Sequence, residues 1–585
     1  NMAAEWTSEF GKKHTSNDNQ DFRPVVPYQL NAQKSGKYNA QNKHITWTIA
    51  VNHSRNPLVN SELTDTIKDN QTYVKGSVKV YEALVQKNGT VVKKQPEILV
   101  TGDMKKVAEP DSRNNQTLTI AFPEGAEQLY LIEFETSLEG KIIEDSKQYI
   151  NTAQYENNKR KREVVGEVGI TNGGKYVQKA GTQNKQNPDY VDWQAIINPS
   201  QSTLKNVVIT DQPTENQVID HSSIRLYETS VAVNGTITPN YEKPLMLDTD
   251  YTVSLDTNNE TGKQTLTINM LKDIHTAYQL VYSSYITSSA SGSKDTVCNK
   301  ISVTGDNDKV IVGGEGKDVT VEIHHSEGSA KGKKGKLMIQ KTEAETQKKL
   351  SGAHFQLWNT TKTQLLRQGE VSNEGQLIFG NLPYGEYLLI ETDAPEGFTI
   401  SDELAAGRRI TINDDTSSVN AQPMTIPNER NKVILQKTDE QGNPITFGGA
   451  IQKGARFKLE RFNRLSPEGS LWEEVSLKQD RLDNNGVLEI DSLPLGLYRL
   501  TELEAPVGYL LNTDPVHFQV FRNGDHQLPK VQLTFKNYQG EAELIKNGKD
   551  GNPLAGATFD VLDSKGTKVN TQPLVSQADG KVVIS

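Results

Sequence analysis

The sequence repeats itself, and the copies are built from short segments in which apolar and polar residues alternate. In the first half of the chain, Ile45–Asn52 matches Val191–Asn198, and both segments have the two-residue period of a β-strand. In each copy the same interval separates a tryptophan from a later aspartate: Trp47 and Asp65, then Trp193 and Asp211. This repeat therefore predicts two β-rich units of about 150 residues each.

A second, shorter repeat fills the rest of the chain. It follows a Gly-, Ser- and Lys-rich segment, residues 327–336, which we interpret as a linker. Each copy opens with a strand that ends in lysine and continues through a Gly-Ala-x-Phe segment. The first two copies close on related segments, Leu382–Phe398 and Leu493–Tyr509. The third stops at Ser585 before reaching this segment, so we expect the natural chain to continue.

The two repeats predict an all-β protein made of tandem domains. A chain of 585 residues exceeds what one hydrophobic core can serve. Its mean hydropathy of −0.62 suits many small β domains with large wetted surfaces. We expect two larger domains, the linker, two smaller domains and an incomplete copy, at residues 1–165, 166–326, 327–336, 337–430, 431–539 and 540–585.

Composition excludes several classes of partner. The formal net charge of −10 provides no basic field for nucleic acid. No apolar run approaches the ~20 residues that a membrane-spanning helix needs. A single cysteine, Cys298, rules out an internal disulfide, so a secreted chain of this kind needs another covalent brace or none. We expect neither a metal nor a cofactor, because no set of ligands has the required spacing.

Charged and polar residues recur at positions that face the predicted cores. Residues two apart on a strand share one face, so a polar residue in phase with apolar neighbours is buried with them. In every complete copy this test selects one lysine, one acid and one asparagine. The sets are Lys34, Asp65 and Asn151; Lys179, Asp211 and Asn299; Lys341, Glu391 and Asn428; and Lys437, Glu502 and Asn537.

Burial gives such a set a specific chemistry. An apolar pocket disfavours charge, so the lysine becomes a free amine and the acid becomes protonated. The amine can then attack the asparagine carboxamide while the acid polarises the carbonyl, which expels ammonia and leaves an amide. The plainer interpretation is a lysine at a strand end that forms an ion pair with the acid. Four sets in register favour the covalent chemistry.

These motifs resemble those of known domains. The shorter copies are similar to B-type domains of the collagen adhesins and pilins of Gram-positive bacteria, through the lysine strand, Gly-Ala-x-Phe and the Glu-Thr-x-Ala-Pro-x-Gly-aromatic segment. The longer copies resemble the larger, A-region-type Ig-like domains of the same adhesins. The resemblance implies tandem Ig-like β-sandwich domains arranged as an elongated rod.

The resemblance also implies autocatalytic Lys–Asn isopeptide bonds within the domains. The bonds would join Lys34 to Asn151, Lys179 to Asn299, Lys341 to Asn428 and Lys437 to Asn537, with Asp65, Asp211, Glu391 and Glu502 as the catalytic acids. In the larger domains Lys37 and Lys175 remain alternatives, because a shift of strand register exchanges the faces. Lys546 would be the nucleophile of the incomplete copy, where both partners are missing.

Function follows from the resemblance rather than from the composition. We expect an extracellular surface adhesin or stalk that binds a collagen-like matrix protein and is attached to peptidoglycan through a region beyond residue 585. The alternatives are a pilin subunit and a purely structural stalk. Self-directed bond formation is the only catalysis expected.

Overall fold

The structure is a computed structural model, and it describes residues 2–7, 13–18, 32–86, 88–98, 106–287, 294–307, 309–322, 333–418, 421–446, 454–464, 471–506, 508–523, 526–527, 530–563 and 565–584. Most of the predicted linker therefore lies outside the described residues. The chain forms two compact units, one mainly of residues 1–326 and the other mainly of residues 327–585. Strands make up about 55% of the structure and helices about 4%, which confirms the all-β prediction.

The first larger domain is a sandwich of two antiparallel sheets. A separate two-stranded ribbon precedes it, formed by β1 (Met2–Thr7) and β2 (Lys13–Asp18). The strands of the domain are β3 (Ala32–Asn39), β4 (His44–Val51), β5 (Glu62–Thr66), β6 (Thr72–Tyr73), β7 (Lys79–Val85), β8 (Val91–Lys93), β9 (Lys106–Ala108), β10 (Thr117–Ala121), β11 (Leu129–Ser137), β12 (Asn151–Asn157) and β13 (Arg160–Gly166). One sheet has the order β3-β4-β11-β7-β8, with β6 beside β11, and the other has the order β13-β12-β5-β10-β9.

Alternation along the strands creates the core between these two sheets. On β4, for example, Ile45, Trp47 and Ile49 are fully buried, and the residues between them are more exposed. The buried cluster extends past β13 to Val168 and Ile170. Apolar side chains on one face of each sheet thus account for the sandwich.

The second larger domain repeats this architecture. Its strands are β14 (Val177–Gln183), β15 (Tyr190–Ile197), β16 (Lys205–Pro213), β17 (Gln217–Ile219), β18 (Arg225–Val231), β19 (Ile237–Pro244), β20 (Tyr251–Thr257), β21 (Gln264–Met270), β22 (Tyr278–Ile286), β23 (Lys294–Asn307) and β24 (Lys309–Glu322). The sheets have the orders β14-β15-β22-β18-β19, with β17 beside β22, and β20-β21-β16-β23-β24. Short 3₁₀ turns at Ser112–Asn114, Ser146–Gln148 and His221–Ser223 connect strands in the two domains.

The first smaller domain has two four-stranded sheets. Its elements are β25 (Lys334–Glu343), β26 (His354–Trp358), β27 (Leu365–Glu370), β28 (Gln376–Pro383), β29 (Gly385–Asp393), β30 (Phe398–Thr399), α1 (Asp402–Ala406), β31 (Arg408–Ile412), α2 (Asp414–Ser417) and β32 (Met424–Arg430). The sheet orders are β28-β25-β32-β30 and β27-β26-β29-β31. The first strand, β25, pairs in parallel with the last strand, β32.

The second smaller domain follows after one residue, Asn431. It contains β33 (Lys432–Thr438), β34 (Arg456–Phe462), β35 (Trp472–Val475), β36 (Val487–Asp491), β37 (Gly496–Glu504), β38 (Val516–Val520), β39 (Arg522–Asn523), β40 (His526–Gln527) and β41 (Lys530–Lys536). Its sheets are β36-β33-β41 and β35-β34-β37-β38, and β33 again runs parallel to the last strand, β41.

The final segment forms only two small sheets. β42 (Ala542–Ile545) pairs with β45 (Lys581–Ile584), and β43 (Thr558–Phe559) pairs with β44 (Leu574–Val575). Within the described ranges, no helix is both long and apolar enough to cross a membrane.

Candidate functional site

The strand-phase test correctly predicted which polar residues are buried. All members of the four sets are buried: Lys34, Asp65, Asn151, Lys179, Asp211, Asn299, Lys341, Glu391, Asn428, Lys437, Glu502 and Asn537. The two alternative nucleophiles are not: Lys37 and Lys175 are both exposed. The structure therefore places Lys34 and Lys179, rather than their neighbours, beside the acids.

In the first larger domain the set bridges the two sheets. Lys34 lies on the edge strand β3 of one sheet, whereas Asp65 on β5 and Asn151 on β12 belong to the other. Lys34 Nζ donates a hydrogen bond to Asp65 Oδ2, and both side chains are fully buried. Asn151 is buried near the same carboxyl, but neither its amide nitrogen nor its amide oxygen forms a hydrogen bond with a described residue. The three groups thus share one pocket inside the sandwich.

The second larger domain has the same set together with a tyrosine. Lys179 Nζ lies 2.5 Å from Asp211 Oδ2 and 2.9 Å from the hydroxyl of Tyr282. The Tyr282 hydroxyl donates to Asp211 Oδ2 at 2.5 Å and accepts from Asn299 Nδ2 at 2.6 Å. One hydroxyl therefore contacts the lysine, the acid and the asparagine at once.

In the first smaller domain the glutamate lies between the other two groups. Glu391 Oε2 accepts from Lys341 Nζ at 2.9 Å and from Asn428 Nδ2 at 3.3 Å. Asn428 Nδ2 also donates to the carbonyl of Thr399 at 2.5 Å. Because β25 and β32 are parallel neighbours, the lysine and the asparagine come from adjacent strands.

The second smaller domain repeats this geometry. Lys437 Nζ lies 2.8 Å from Glu502 Oε1, at an angle outside that of a hydrogen bond. Glu502 Oε2 accepts from Asn537 Nδ2 at 2.9 Å and from the backbone N–H of Asn512 at 3.0 Å. Asn537 Nδ2 also donates to the carbonyl of Leu510 at 2.7 Å. The acid is again the common partner.

Aromatic rings cover every one of these lysines. The distance from Nζ to the ring centre is 5.2 Å for Lys34 and Trp47, 5.2 Å for Lys179 and Trp193, 5.3 Å for Lys341 and Phe355, and 4.0 Å for Lys437 and Phe535. Phe355 is the aromatic residue of the Gly-Ala-x-Phe segment. These rings exclude water from the amines and keep the pockets apolar.

A buried polar network fixes the tryptophan in each larger domain, and the sequence interpretation missed it. The indole N–H of Trp193 contacts Gln217 Oε1 at 3.1 Å and Ser284 Oγ at 2.8 Å. Gln217 Nε2 donates to the carbonyl of Cys298, next to Asn299, at 2.9 Å. Gln71 and Thr136 contact Trp47 in the same way. The repeated interval from tryptophan to glutamine was the signal available in the sequence.

Burial shifts the pKa values of the four lysines and of three of the acids toward their neutral forms. Burial lowers the pKa of Lys34 and Lys179 below the usual range although the neighbouring aspartates oppose the shift. It lowers the pKa of both Lys341 and Lys437 to about 8. Burial likewise raises the pKa values of the acids Asp65, Asp211 and Glu391. Both partners are thereby shifted toward an amine and a carboxylic acid.

Each site also leaves one pair of oxygen atoms unsatisfied. No described residue forms a hydrogen bond with the amide oxygens of Asn151, Asn299, Asn428 and Asn537. Within the same described residues, one carboxyl oxygen of each of Asp65, Asp211, Glu391 and Glu502 is also unsatisfied. Two acceptors in one buried pocket lack a donor, which a proton on the carboxyl would supply.

The incomplete copy differs from the others. Lys546 is exposed, together with Leu544 and Ile545 of β42. The expectation that Lys546 faces a core is therefore wrong for this structure, because the two small sheets of residues 540–584 enclose no core around it. In the part of the chain that the structure describes, no group of three or more His, Cys, Asp or Glu side chains could hold a metal ion.

Comparison with protein families divides the chain at the same place as the two repeats. Residues 29–165 and 174–310 match the collagen binding domain family. Residues 335–424, 431–534 and 540–585 match the prealbumin-like fold domain family. A curated relative is a wall-associated protein of Streptococcus mutans serotype c, 29% identical over 154 residues. These residues are 26% of this chain, and the alignment spans about a third, 34%, of the relative.

Several solved structures are also similar. The Bacillus anthracis TIE protein is 18% identical, the match covers 70% of this chain and 67% of that chain, and the TM-score is 0.24. The collagen-binding domain from a Staphylococcus aureus adhesin is 14% identical, with 25% of this chain and 96% of that chain covered and a TM-score of 0.19. The collagen binding subdomain of the Enterococcus faecalis surface protein ACE is 16% identical, with 25% of this chain and 97% of that chain covered and a TM-score of 0.19. At these scores the structural likeness carries no further conclusion.

The family matches define a surface adhesin or pilin-type stalk protein. The chain is similar to collagen-adhesin-like surface proteins of Gram-positive bacteria, since domains that match the collagen binding family are followed by domains that match the prealbumin-like family. Both domain families are generally non-enzymatic.

Proposed function

We propose that this protein is an adhesin whose four complete domains are each stapled by an autocatalytic Lys–Asn isopeptide bond. The observation that carries the proposal is the repeated buried set of one lysine, one acid and one asparagine. The bonds join Lys34 to Asn151, Lys179 to Asn299, Lys341 to Asn428 and Lys437 to Asn537.

The chemistry follows from the geometry of each set. The neutral amine attacks Cγ of the asparagine, and the protonated acid donates to the amide oxygen that has no other donor. Nδ2 then takes up the proton that Nζ releases, and ammonia leaves as the Cγ–Nδ2 bond breaks. The product is an amide between the two side chains, and the acid is regenerated.

The staples compensate for the missing disulfides. They close loops of about 90 to 120 residues, and by the loop-closure model each removes roughly 4–5 kcal/mol of unfolded-state entropy. In the smaller domains the bond joins parallel first and last strands. A pulling force then acts on covalent bonds rather than on the sheet between them.

Two lysines three residues apart give a matched test of the staple. Replacing Lys34 with alanine should abolish the crosslinked peptide that contains Asn151, because the nucleophile is gone. The control, Lys37→Ala, should keep it, because Lys37 is exposed. Tandem mass spectrometry of protease digests reads both results. A crosslink that survives in Lys34→Ala but disappears in Lys37→Ala would contradict the assignment.

We assign ligand binding to the larger domains. Support comes from their match to the collagen binding domain family and from an open groove of about 860 Å³ on the first of them. Thr48 and Leu131 lie at this groove, together with Val91, Arg162 and Val165. Mixed apolar and charged walls suit a protein ligand such as a collagen-like matrix protein.

Binding of the full chain to immobilised collagen tests this assignment. Arg162→Glu reverses a charge in the groove and should weaken binding at least about tenfold, the effect of losing ~1.4 kcal/mol. Arg113→Glu, an exposed substitution outside the groove in the same domain, should leave binding unchanged. Equal loss in both variants would contradict the groove. A stapled chain that binds no matrix protein would instead favour a pilin or structural stalk.

A further inference from the structure

The two larger domains differ at one position beside the proposed staple. Tyr282 on β22 pairs with Trp193, and Phe134 on β11 pairs with Trp47, so the two rings occupy equivalent places. Both lie near the lysine: Nζ is 5.3 Å from the ring centre of Tyr282 and 5.7 Å from that of Phe134. At this position the two sites therefore differ by a single hydroxyl.

That hydroxyl contacts all three groups of its site. It accepts from Lys179 Nζ at 2.9 Å and from Asn299 Nδ2 at 2.6 Å, and it donates to Asp211 Oδ2 at 2.5 Å. It thus lies between the nitrogen that must lose a proton and the nitrogen that must gain one. Tyr282 is buried, and burial raises its pKa well above the usual value, so the phenol keeps its proton at neutral pH.

We propose that Tyr282 is a further catalytic residue of the second larger domain and carries a proton from Lys179 Nζ to Asn299 Nδ2. The inference rests on the proposed isopeptide chemistry. As the Nζ–Cγ bond forms, Nζ gives a proton to the phenol oxygen and Nδ2 becomes basic because Cγ becomes tetrahedral. The phenol hydrogen then turns from Asp211 Oδ2 toward Nδ2 and passes to it. The Cγ–Nδ2 bond then breaks, ammonia leaves, and the phenol is restored.

This assignment makes the two larger domains unequal. At the first site Phe134 offers no hydroxyl, so protons must pass through Asp65 alone. At the second site a protonated Asp211 can donate to the amide oxygen of Asn299 while the phenol moves the proton between the nitrogens. The second site should therefore form its bond faster than the first.

The exchange of these two side chains tests the inference in the full chain. Unfolded chain, collected in denaturant directly after synthesis, is diluted into buffer at pH 7.5, and crosslinked peptides are quantified over time by mass spectrometry. Tyr282→Phe should slow formation of the Lys179–Asn299 bond at least about tenfold, because general acid–base catalysis typically contributes roughly 100-fold or more and Asp211 stays in place. The Lys34–Asn151 bond in the same sample should keep its rate.

The reciprocal variant distinguishes a catalytic role of the hydroxyl from an effect of lost packing. Phe134→Tyr should speed the Lys34–Asn151 bond, a gain that loss of packing cannot produce. If neither variant changed the rate of bond formation at its own site, the inference would be overturned. If Tyr282→Phe failed to fold, an unchanged rate of Lys34–Asn151 bond formation in Phe134→Tyr would overturn it by itself. The absence of any crosslinked peptide in the wild-type chain would instead refute the proposed function itself.

Discussion

The chemistry at each site depends on how strongly burial acts on single side chains. A lysine whose pKa falls from 10.5 to about 8, as at Lys341 and Lys437, has about 300 times more neutral amine at pH 7. The ordinary alternative, a buried ion pair, gains little stability once desolvation is counted. Apolar surroundings thus favour the neutral amine that the proposed bond formation requires.

A pH dependence follows from these values. Below about pH 8 protonation removes the free amine of Lys341, so the rate of Lys341–Asn428 bond formation should fall by up to about tenfold per pH unit. Refolding of unfolded chain in buffers from pH 5 to pH 8, with the crosslinked peptide quantified over time, measures this rate. A rate that rose toward pH 5 would contradict an amine nucleophile.

At the scale of strands, the strand that carries the buried lysine packs closely against a tryptophan in each larger domain. Gly36 on β3 lies against Trp47, and an added Cβ would come within 2.8 Å of the Trp47 ring and of Val168. A Cβ added at Gly181 on β14 would come even closer to the ring of Trp193, at 2.4 Å. The glycine two residues after each buried lysine of the larger domains therefore leaves room for the ring that covers the amine.

Substitution at Gly36 should show this packing directly. Gly36→Ala should destabilise the first larger domain by about 1–3 kcal/mol, the usual effect of overpacking a core. Gly169→Ala is the control, since an added Cβ there meets nothing within 4 Å. Hydrogen exchange read by mass spectrometry isolates the peptides of this domain. Equal exchange in the two variants would show that the close contact relaxes without cost.

Strand periodicity predicted the members of the four sets, since alternation is a local property that a sequence shows directly. It could not predict Tyr282, because the approach of Tyr282 to Lys179 depends on the pairing of β22 with β15, which lie far apart in the sequence. The choice between Lys34 and Lys37 was open for the related reason that a register shift reverses the faces. Lys546 shows a different limit of the same test. It continues the alternation of β42, but it is exposed because the two small sheets of this segment enclose no core around it.

At the scale of the whole molecule, the proposed staples would determine which residues a pulling force can extend. Between Lys34 and Asn537 only about 80 of about 500 residues lie outside the proposed crosslinked loops. Most of them follow Asn151 or Asn299, because in the larger domains these asparagines lie on the strand before the last one. Fewer than about ten residues lie between the proposed crosslinked loops of the two smaller domains.

Single-molecule pulling should reveal this difference. With handles that flank residues 34 and 537, the stapled chain should extend to roughly 280 Å, at about 3.5 Å per residue. A variant with Asp65, Asp211, Glu391 and Glu502 replaced by alanine should reach roughly 1,750 Å at the same spacing. Full extension of the wild-type chain would refute mechanical protection by the staples.

The mass of the intact chain tests the central claim most directly. Each isopeptide bond releases one ammonia, about 17 Da, so four bonds predict a mass about 68 Da below that of the sequence. The variant that lacks all four acids should have the full sequence mass. A wild-type chain at the full sequence mass would contradict the account.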